Sequence, residues 1–257
     1  MIDLHSHILP EVDDGAGSIG EALSMANIAV KEGIDAVVAT PHCLKANDID
    51  GFVQGVERQR QQLQLALDAK GMDLDVFYGT ELLMDPIFLR AGGLDRLTIN
   101  GTHYILVELP MGDVPFFADD FVYKLQLAGL IPVIAHPERN LRIINDPNKL
   151  YRFVDRGCLC QINTGSITGL YGKQVQKCAR ILLTHGMGHV LGTDTHSDGL
   201  RGPYMKEAVE TLKKWLDPIQ VNKIIGITPY DIVQGNPVDV EPPRRYKRSI
   251  WRLWFFK

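Results

Sequence analysis

The sequence predicts an α/β fold, a barrel of parallel strands built as a single domain. Seven short apolar runs recur along the 257 residues, and helix-like stretches separate most of them, as in repeated βα units. The length is also close to the ~250 residues typical of an α/β barrel. Because seven units are one fewer than usual, we expect a distorted (β/α)7 barrel, TIM-like, rather than an open doubly wound sheet. The absence of a glycine-rich phosphate loop favours the same choice.

The individual elements follow from the spacing of apolar residues. The strand-like runs are residues 1–5, 35–40, 74–79, 103–109, 131–135, 158–163 and 189–193. The helix-like stretches are residues 18–33, 50–70, 116–129, 146–157, 170–187 and 203–216. In the first of these, Ile19, Leu23, Ala26 and Val30 recur at helical spacing, and Gly33 suits the C-cap. The link at 83–95 is less regular, and the polar helix at 50–70 is expected to cover the barrel rather than to touch a substrate.

Charge and hydropathy exclude several classes of protein. The chain carries 27 basic and 31 acidic residues, a net charge of −4, so we expect no nucleic-acid partner. No apolar run approaches the ~18–20 residues of a membrane span. No apolar segment precedes His5, so we expect no secretory signal. These features predict a cytoplasmic protein.

The four cysteines do not indicate a redox or nucleophilic site. Cys43, Cys158, Cys160 and Cys178 are few for this length, which suggests reduced thiols. Cys158 and Cys160 lie in a strand-like run and are predicted to be small core residues on one face. None of the four is followed at the sixth position by arginine, as the phosphate loop of cysteine phosphatases would require.

Histidine and acidic residues stand at or just after the ends of the strand-like runs. These nine residues are His5, His7, Asp14, His42, Glu81, Glu108, His136, Asp194 and His196. In a barrel of parallel strands those ends share one rim, where such enzymes build their active sites. Nitrogen and carboxylate donors without thiolates suit Mn²⁺, Zn²⁺ or Fe²⁺ better than Ca²⁺. The pattern therefore predicts a metal site that holds several ions.

Any one of these residues, taken alone, is better explained as a capping or hydrogen-bonded side chain than as a metal ligand. The prediction rests on their joint position at one rim. The other three histidines, His103, His185 and His189, do not follow strands and are expected to be structural or exposed.

The ordered motifs H-S-H, T-P-H, G-T-E-L, A-H-P-E-R and D-T-H resemble those of the polymerase and histidinol phosphatase (PHP) superfamily. The opening MIDLHSHILPEVDDG and the segment AHPERN are similar to its bacterial branch of tyrosine phosphatases, which occur with capsule and exopolysaccharide kinases. The resemblance covers roughly residues 1–237. It implies a distorted (β/α)7 barrel of the PHP type with up to three divalent ions, Mn²⁺ first among them.

By motif match, the resemblance also implies how the ligands are grouped. The first ion would be held by His5, His7, Glu81 and Asp194. The second ion would be held by Glu81 as a bridge, Glu108 and His136. The third ion would be held by Asp14, His42 and His196.

The chemistry expected of such a site is phosphate-ester hydrolysis. Two ions that share a carboxylate can share a water and lower its pKa toward neutrality. The phosphoryl oxygens then need cationic groups, and a guanidinium meets two of them at once. Arg139, three residues after His136, and Arg201, just after the D-T-H motif, are the candidates that the resemblance also favours. The alternative for either arginine is a surface ion pair.

The expected function is metal-dependent hydrolysis of phosphotyrosine on proteins, without a phosphoenzyme. The resemblance implies a membrane-associated tyrosine kinase of capsule or exopolysaccharide synthesis as the substrate. Two alternatives use the same ligands: a small-molecule phosphomonoesterase of the histidinol-phosphatase type, and a non-catalytic, metal-stabilised phosphopeptide-binding protein. A nuclease is disfavoured because the chain is acidic.

The last residues differ from the rest. We divide the chain into a metallophosphatase barrel, residues 1–240, and a tail, residues 241–257, which has six basic and five aromatic residues. Such a composition suits an anionic membrane surface, so residues 244–257 are a candidate for peripheral contact at the inner face of the membrane. The alternative is that the aromatic side chains pack on the barrel or in an oligomer interface.

Overall fold

The computed structural model describes residues 1–247, and it has the α/β fold with parallel strands that the sequence predicts. Each of the seven apolar runs contains a strand. The strands are β1 (Ile2–Ser6), β2 (Ala36–Ala39), β3 (His42–Cys43), β4 (Asp75–Tyr78), β5 (Glu81–Leu83), β6 (Tyr104–Glu108), β7 (Ile131–Ala135), β8 (Leu159–Asn163) and β9 (Val190–Gly192).

The strands form two parallel sheets, in the orders β1-β2-β4 and β3-β5-β6-β7-β8-β9. Strand β3 continues the course of β2 after a break at Thr40 and Pro41, and β5 continues that of β4 after Gly79 and Thr80. Proline has no N–H to donate to a sheet. A Cβ at Gly79 would lie 2.7 Å from the Val38 side chain, so the break also needs glycine. The chain therefore has seven strand positions within residues 1–247.

Hydrogen bonds connect the last strand position to the first. The His7 N–H donates to the Thr195 carbonyl at 3.0 Å, and the Asp194 N–H donates to the His5 carbonyl at 2.8 Å. These bonds lie at or just beyond the carboxyl ends of β1 and β9. The barrel is therefore joined at the rim where the candidate ligands lie.

Helices surround the strands, and their bounds largely follow the apolar spacing. They are α1 (Ile19–Lys31), α2 (Ile49–Ala69), α3 (Phe88–Ala91), α4 (Ala118–Leu127), α5 (Leu141–Asn145), α6 (Asn148–Val154), α7 (Thr164–Thr168), α8 (Lys173–Thr184), α9 (Lys206–Leu212), α10 (Pro218–Asn222) and α11 (Thr228–Gln234). Short 3-10 helices cover Leu94–Leu97, Ile99–Gly101 and Pro137–Arg139, and a π-helical turn covers Lys223–Ile227.

Local sequence explains the two long helices near the amino terminus. The Ser18 hydroxyl caps α1 by accepting from the Glu21 N–H at 3.2 Å, and Glu21 adds negative charge at the positive end of the helix dipole. In α2, Arg60 pairs with Glu57 at 2.7 Å and donates to the Val76 carbonyl at 3.0 Å. These contacts tie α2 to β4, which agrees with the predicted covering role.

Apolar side chains from the strands fill the barrel. Leu4, Val38, Leu106 and Val190 are fully buried in one cluster, which Ile232 from α11 joins. Because α11 packs on this cluster, it closes the end of the barrel where the strands begin. The opposite end, where the strands finish, is left for polar side chains.

The first residues of the tail pack on the barrel. The Arg244 N–H donates to the His185 carbonyl at 2.8 Å, and Asn148 exchanges two hydrogen bonds with the backbone of Tyr246 at 2.9 and 3.0 Å. The Arg245 guanidinium lies 4.6 Å from the centre of the Tyr151 ring. Residues 248–257 lie outside the described part of the chain, so the boundary at 240 and the membrane contact stay predictions. Within residues 1–247, no helix has the length and apolarity needed to cross a membrane.

Candidate metal centre

All nine candidate ligands lie at the end of the barrel where the strands finish. His5 is in β1, His42 is in β3, and Glu81 and Glu108 are in β5 and β6. The other five, His7, Asp14, His136, Asp194 and His196, lie in the segments that leave β1, β7 and β9. The parallel direction of the strands therefore brings residues that are up to 191 positions apart (5 to 196) to one rim.

The centre of the group is buried. The Nε2 atoms of His5 and His7 lie 3.1 Å apart, and Glu81 Oε2 lies 3.2 and 3.4 Å from them. Asp194 Oδ1 lies 3.8 Å from His5 Nε2 and 3.6 Å from His7 Nε2. The exposed fraction of each of these four residues is 2 % or less. This geometry brings together the four residues that the resemblance assigns to one ion.

Two further groups extend from Glu81. On one side, His136 Nε2 lies 2.9 Å from Glu81 Oε1 and 3.8 Å from Glu108 Oε1. On the other side, Asp14 Oδ1 lies 3.5 Å from Nε2 of both His42 and His196. Each of the three sets that the resemblance implies is therefore compact.

The geometry also shares residues between sets in a way that the sequence does not indicate. Among residues 1–247, donor atoms within 4.8 Å of one another form three groups: His5, His7 and Glu81; His42, Glu81 and Glu108; and His7, Asp14, His42 and His196. His7 and His42 thus each belong to two groups. The three predicted ion positions are neighbours in one continuous cluster.

Hydrogen bonds at the second ring nitrogen aim the histidines inward. His5 Nδ1 lies 2.9 Å from Gln161 Oε1, and His7 Nδ1 lies 2.6 Å from Asp13 Oδ2. His196 Nδ1 bonds to the Asp194 carbonyl at 2.9 Å. An acceptor at Nδ1 keeps the proton there and leaves the Nε2 lone pair free, as for metal-bound histidines.

Asp13 is a residue that the sequence analysis missed. Besides His7, it accepts from the backbone N–H of His42 and Gly15, both at 3.0 Å. A Cβ at Gly15 would lie 2.0 Å from the His7 carbonyl, so only glycine permits this close turn. Burial would raise the pKa of Asp13, but the hydrogen bond from His7 lowers it. The motif match points to the adjacent Asp14 instead, and no strand-end pattern distinguishes Asp13 from it.

Two candidate ligands have strained backbones. His136 has φ 30° and Asp194 has φ 52°, in the left-handed region that costs non-glycine residues of order 1–3 kcal/mol. At Gly192, just before the second of these turns, a Cβ would lie 2.6 Å from the His5 Cβ. Such strain is concentrated where side chains must be aimed at a site.

The cluster carries closely coupled charges. Burial disfavours a charged His5, but the Glu81 carboxylate outweighs it and raises the pKa of His5 to about 8. Burial is likewise outweighed at His7, where Asp13 and Glu81 raise the pKa to about 10. Burial would raise the pKa of Asp194, but the histidines His5 and His136 hold it well below its usual range. Cations that bind here would displace protons from the imidazoles.

The residues present fit divalent ions. Glu81 Oε2 is buried and has no hydrogen-bond partner within residues 1–247, although three imidazoles lie around it. A buried carboxylate oxygen without a hydrogen bond is costly, and a bound cation removes that cost. The donors are imidazole nitrogens and carboxylate oxygens, which suit borderline ions such as Mn²⁺, Zn²⁺ and Fe²⁺.

Both predicted arginines lie against the cluster. Arg139 Nη1 donates to Asp194 Oδ2 at 2.6 Å, and Arg201 Nη2 donates to Asp194 Oδ1 at 3.2 Å. Arg139 also lies over the ring of Tyr171, 4.5 Å from its centre. Tyr171 has no strand-end position and was missed by the sequence analysis.

The remaining histidines and the cysteines lie elsewhere. His103 packs against Tyr104, with ring centres 4.3 Å apart. His189 is buried just before β9, where its Nδ1 accepts from the Cys160 N–H at 2.9 Å. The four cysteines are buried free thiols, and burial raises their pKa, that of Cys178 to about 12. They are therefore poor nucleophiles.

The chain is similar to known proteins over most of its length. The family model described as "Capsular polysaccharide synthesis, CpsB/CapC" matches residues 1–234. The chain is 38% identical over 216 residues to the tyrosine-protein phosphatase YwqE of Bacillus subtilis, covering 83% of this chain and 84% of that protein. It is 29% identical over 225 residues to the tyrosine-protein phosphatase CpsB of Streptococcus pneumoniae, covering 83% and 90%.

A solved structure is also similar over almost the whole chain. It is described as one of YwqE and CpsB, "unique metal-dependent tyrosine phosphatases". The similarity has a TM-score of 0.89 at 33% identity and covers 96% of this chain and 100% of that one. A D-hydantoinase structure, with a TM-score of 0.55 at 12% identity, shares the fold alone.

Proposed function

Because the chain belongs to the CpsB/CapC family of capsular polysaccharide synthesis, we propose that it hydrolyses phosphotyrosine on proteins with bound divalent ions. The relatives named above are tyrosine-protein phosphatases, and a similar solved structure is described as metal-dependent. The observation that carries the proposal for this chain is the convergence of His5, Glu81, His136 and Asp194 within hydrogen-bond or near-contact distances.

The nine candidate ligands hold the ions in this proposal. Bound divalent ions supply positive charge to the phosphoryl group and lower the pKa of water toward neutrality. The cluster offers nine side chains that would hold the ions, and the Glu81 carboxylate lies at its centre. Mn²⁺ is the ion that we propose, with Zn²⁺ or Fe²⁺ as substitutes, since the donor set suits all three.

Arg139 and Arg201 bind and orient the phosphate. Each already lies against Asp194, and a guanidinium can donate two parallel hydrogen bonds to phosphate oxygens. Their fixed positive charge stabilises the negative charge that spreads over those oxygens during transfer. Arginine keeps its proton, so the proton for the leaving phenolate comes from elsewhere.

The reaction proceeds without a covalent phosphoenzyme in this proposal. Cys158, Cys160 and Cys178 are buried thiols whose pKa values burial raises. Cys43 directly follows the candidate ligand His42. It is also buried, and burial raises the pKa of its thiol. None of them can present a thiolate to phosphorus.

The biological substrate that we propose is a membrane-associated tyrosine kinase of capsule or exopolysaccharide synthesis, met in the cytoplasm. The family description supports the pathway, and the basic aromatic tail supports a position at the inner membrane face. Because Arg244 and Tyr246 pack on the barrel, deletion of residues 248–257 leaves those contacts in place. Sedimentation with anionic liposomes should be lost on this deletion, and unchanged sedimentation would remove the membrane contact.

A substrate panel tests the proposed activity. Phosphate release should be fastest from a phosphotyrosyl peptide and far slower from the matching phosphoseryl peptide and from histidinol phosphate. Faster release from histidinol phosphate would make the protein a small-molecule phosphatase instead. Tight phosphopeptide binding without phosphate release would make it a binding protein.

A further inference from the structure

A cleft of about 400 Å³ opens beside the candidate metal centre. Its walls include Leu170 and Tyr171, which follow α7, and Leu200 and Tyr204, from the segment between β9 and α9. The buried residue Thr193 also lines it. The cleft is thus built from two loops that flank the end of β9.

The cleft and the centre share residues. Thr193 immediately precedes the candidate ligand Asp194, and Arg201 lines the cleft while donating to Asp194 at 3.2 Å. Tyr171 lines the cleft with its ring 4.5 Å from the Arg139 guanidinium carbon. Both groups proposed to bind phosphate therefore lie at one edge of the cleft.

The walls of the cleft are largely apolar and aromatic, whereas the neighbouring rim carries the polar candidate ligands. Leu170 and Tyr204 are 40% and 45% exposed, and Leu200 is 78% exposed, although all three are large apolar or aromatic residues. Exposed apolar groups gathered beside a polar centre are typical of a binding site. Glu207 also lines the cleft, and its negative charge disfavours a second phosphate there.

We propose that this cleft binds the aryl ring of the phosphorylated side chain, with Tyr204 and Tyr171 as specificity-determining residues. The inference rests on the proposed phosphotyrosine hydrolysis and extends it to the choice of aryl over alkyl esters. In phosphotyrosine a single oxygen separates phosphorus from the ring. A phosphate held by Arg139 and Arg201 therefore leaves its ring next to the cleft wall, where aromatic and aliphatic side chains can pack on it.

The test compares two phosphonates that cannot be hydrolysed. Benzylphosphonate has a methylene in place of the ester oxygen and carries the ring, whereas ethylphosphonate carries the same acid on a short alkyl group. Calorimetry on the Mn²⁺-loaded wild-type protein should show benzylphosphonate binding roughly tenfold or more tightly. Equal affinity for the two probes would overturn the proposal.

Substitutions in the cleft test which side chains cause the preference for benzylphosphonate over ethylphosphonate. Tyr204→Ala, and the double variant Leu200→Ala with Tyr204→Ala, should reduce the ratio of the two affinities by about five- to tenfold. The matched controls are Tyr230→Ala on α11 and Leu127→Ala on α4, where the side chains are 54% and 68% exposed. These controls should leave the ratio unchanged. A ratio that is the same in Tyr204→Ala as in the wild type would place the ring outside the cleft.

The steady-state kinetics separate this inference from the function on which it rests. With phosphotyrosyl peptide, Tyr204→Ala should raise KM more than it lowers kcat, because the ring is bound in both the ground state and the transition state. A decrease in kcat with no change in KM would contradict a role for Tyr204 in binding the ring. If the wild-type protein released no phosphate from any ester, the proposed function would fail, whereas the phosphonate ratio would still report on the cleft.

Discussion

The Nε2 atoms of His5 and His7 lie 3.1 Å apart, in side chains that are completely buried. Their Nδ1 atoms are already engaged by Gln161 and Asp13, so both Nε2 lone pairs point into the same space as Glu81 Oε2. Two buried lone pairs at this distance repel each other unless a proton or another cation lies between them. The pair is therefore arranged for a shared cation.

Loss of a candidate ligand should abolish turnover while leaving the fold. We expect Asp194→Ala and His136→Ala to lower kcat/KM for phosphotyrosyl peptide by roughly 10³-fold or more, because an ion supplies several kcal/mol to the transition state. Metal content and circular dichroism of each variant check the cause. Asp198→Ala, an exposed residue four positions after Asp194, is the matched control and should stay active. An active, metal-replete Asp194→Ala enzyme would remove Asp194 from the site.

Substitution of Arg139 should reduce the rate even when charge is kept. Arg139→Lys retains the positive charge but loses the planar fork and the stacking on Tyr171, so we expect kcat to fall by about 10²-fold. Arg142→Lys, three residues later and paired with the exposed Asp113, is the control and should match the wild type. If the two lysine variants behaved alike, Arg139 would be only an ion-pair residue.

Asp13 should act through His7. In Asp13→Asn the side chain keeps its shape but loses the charge that holds His7 Nδ1–H at 2.6 Å. Loss of such a partner typically costs 10–100-fold in metal affinity, so the dissociation constant for Mn²⁺, measured by calorimetry, should rise by about that factor. Asp73→Asn, in an exposed loop, provides the comparison. Unchanged Mn²⁺ affinity in Asp13→Asn would show that His7 needs no such orientation.

The stability of the protein should fall in mild acid through His189. Burial lowers the pKa of His189 from 6.5 to about 4, so the unfolded chain takes up this proton first as the pH falls. The folded state accordingly loses stability as the pH falls from about 6.5 toward 4. Between pH 7 and pH 5 this residue should account for about 2 kcal/mol of the change in the free energy of unfolding.

The variant His189→Asn tests this dependence. Its side-chain oxygen can still accept from the Cys160 N–H but does not titrate. Urea unfolding at several pH values should show a smaller decrease for the variant than for the wild type. If the free energy of unfolding fell equally with pH in the variant and the wild type, His189 would be already protonated or exposed in the folded state.

The strand positions and the candidate ligands could be predicted because both depend on chain direction. Apolar runs such as that around Val133 mark strands, and a residue just after a parallel strand must lie at the common rim. His136 illustrates this, since it follows β7 directly. The ligand grouping came from motif resemblance, and the sharing of His7 and His42 between groups appears only in three dimensions.

Other features of the site and the fold could not be predicted from the spacing of residues in the sequence. Asp13 and Gln161 act through hydrogen bonds to rings that are 6 and 156 positions away. Tyr171 contacts Arg139 only because the fold brings their two loops together, and no apolar periodicity in the sequence indicates this contact. Helix α11, which closes the barrel, is seven residues long, too short for the apolar spacing to show clearly.

The most direct test of the account is metal removal and restoration with phosphotyrosyl peptide as the substrate. Protein that has been stripped by a chelator and then dialysed should release no phosphate, and addition of Mn²⁺ should restore activity in step with the Mn²⁺ bound per chain. Hydrolysis of phosphotyrosine that persists in protein shown to contain no metal would contradict the central claim that the clustered histidines and carboxylates work through bound ions.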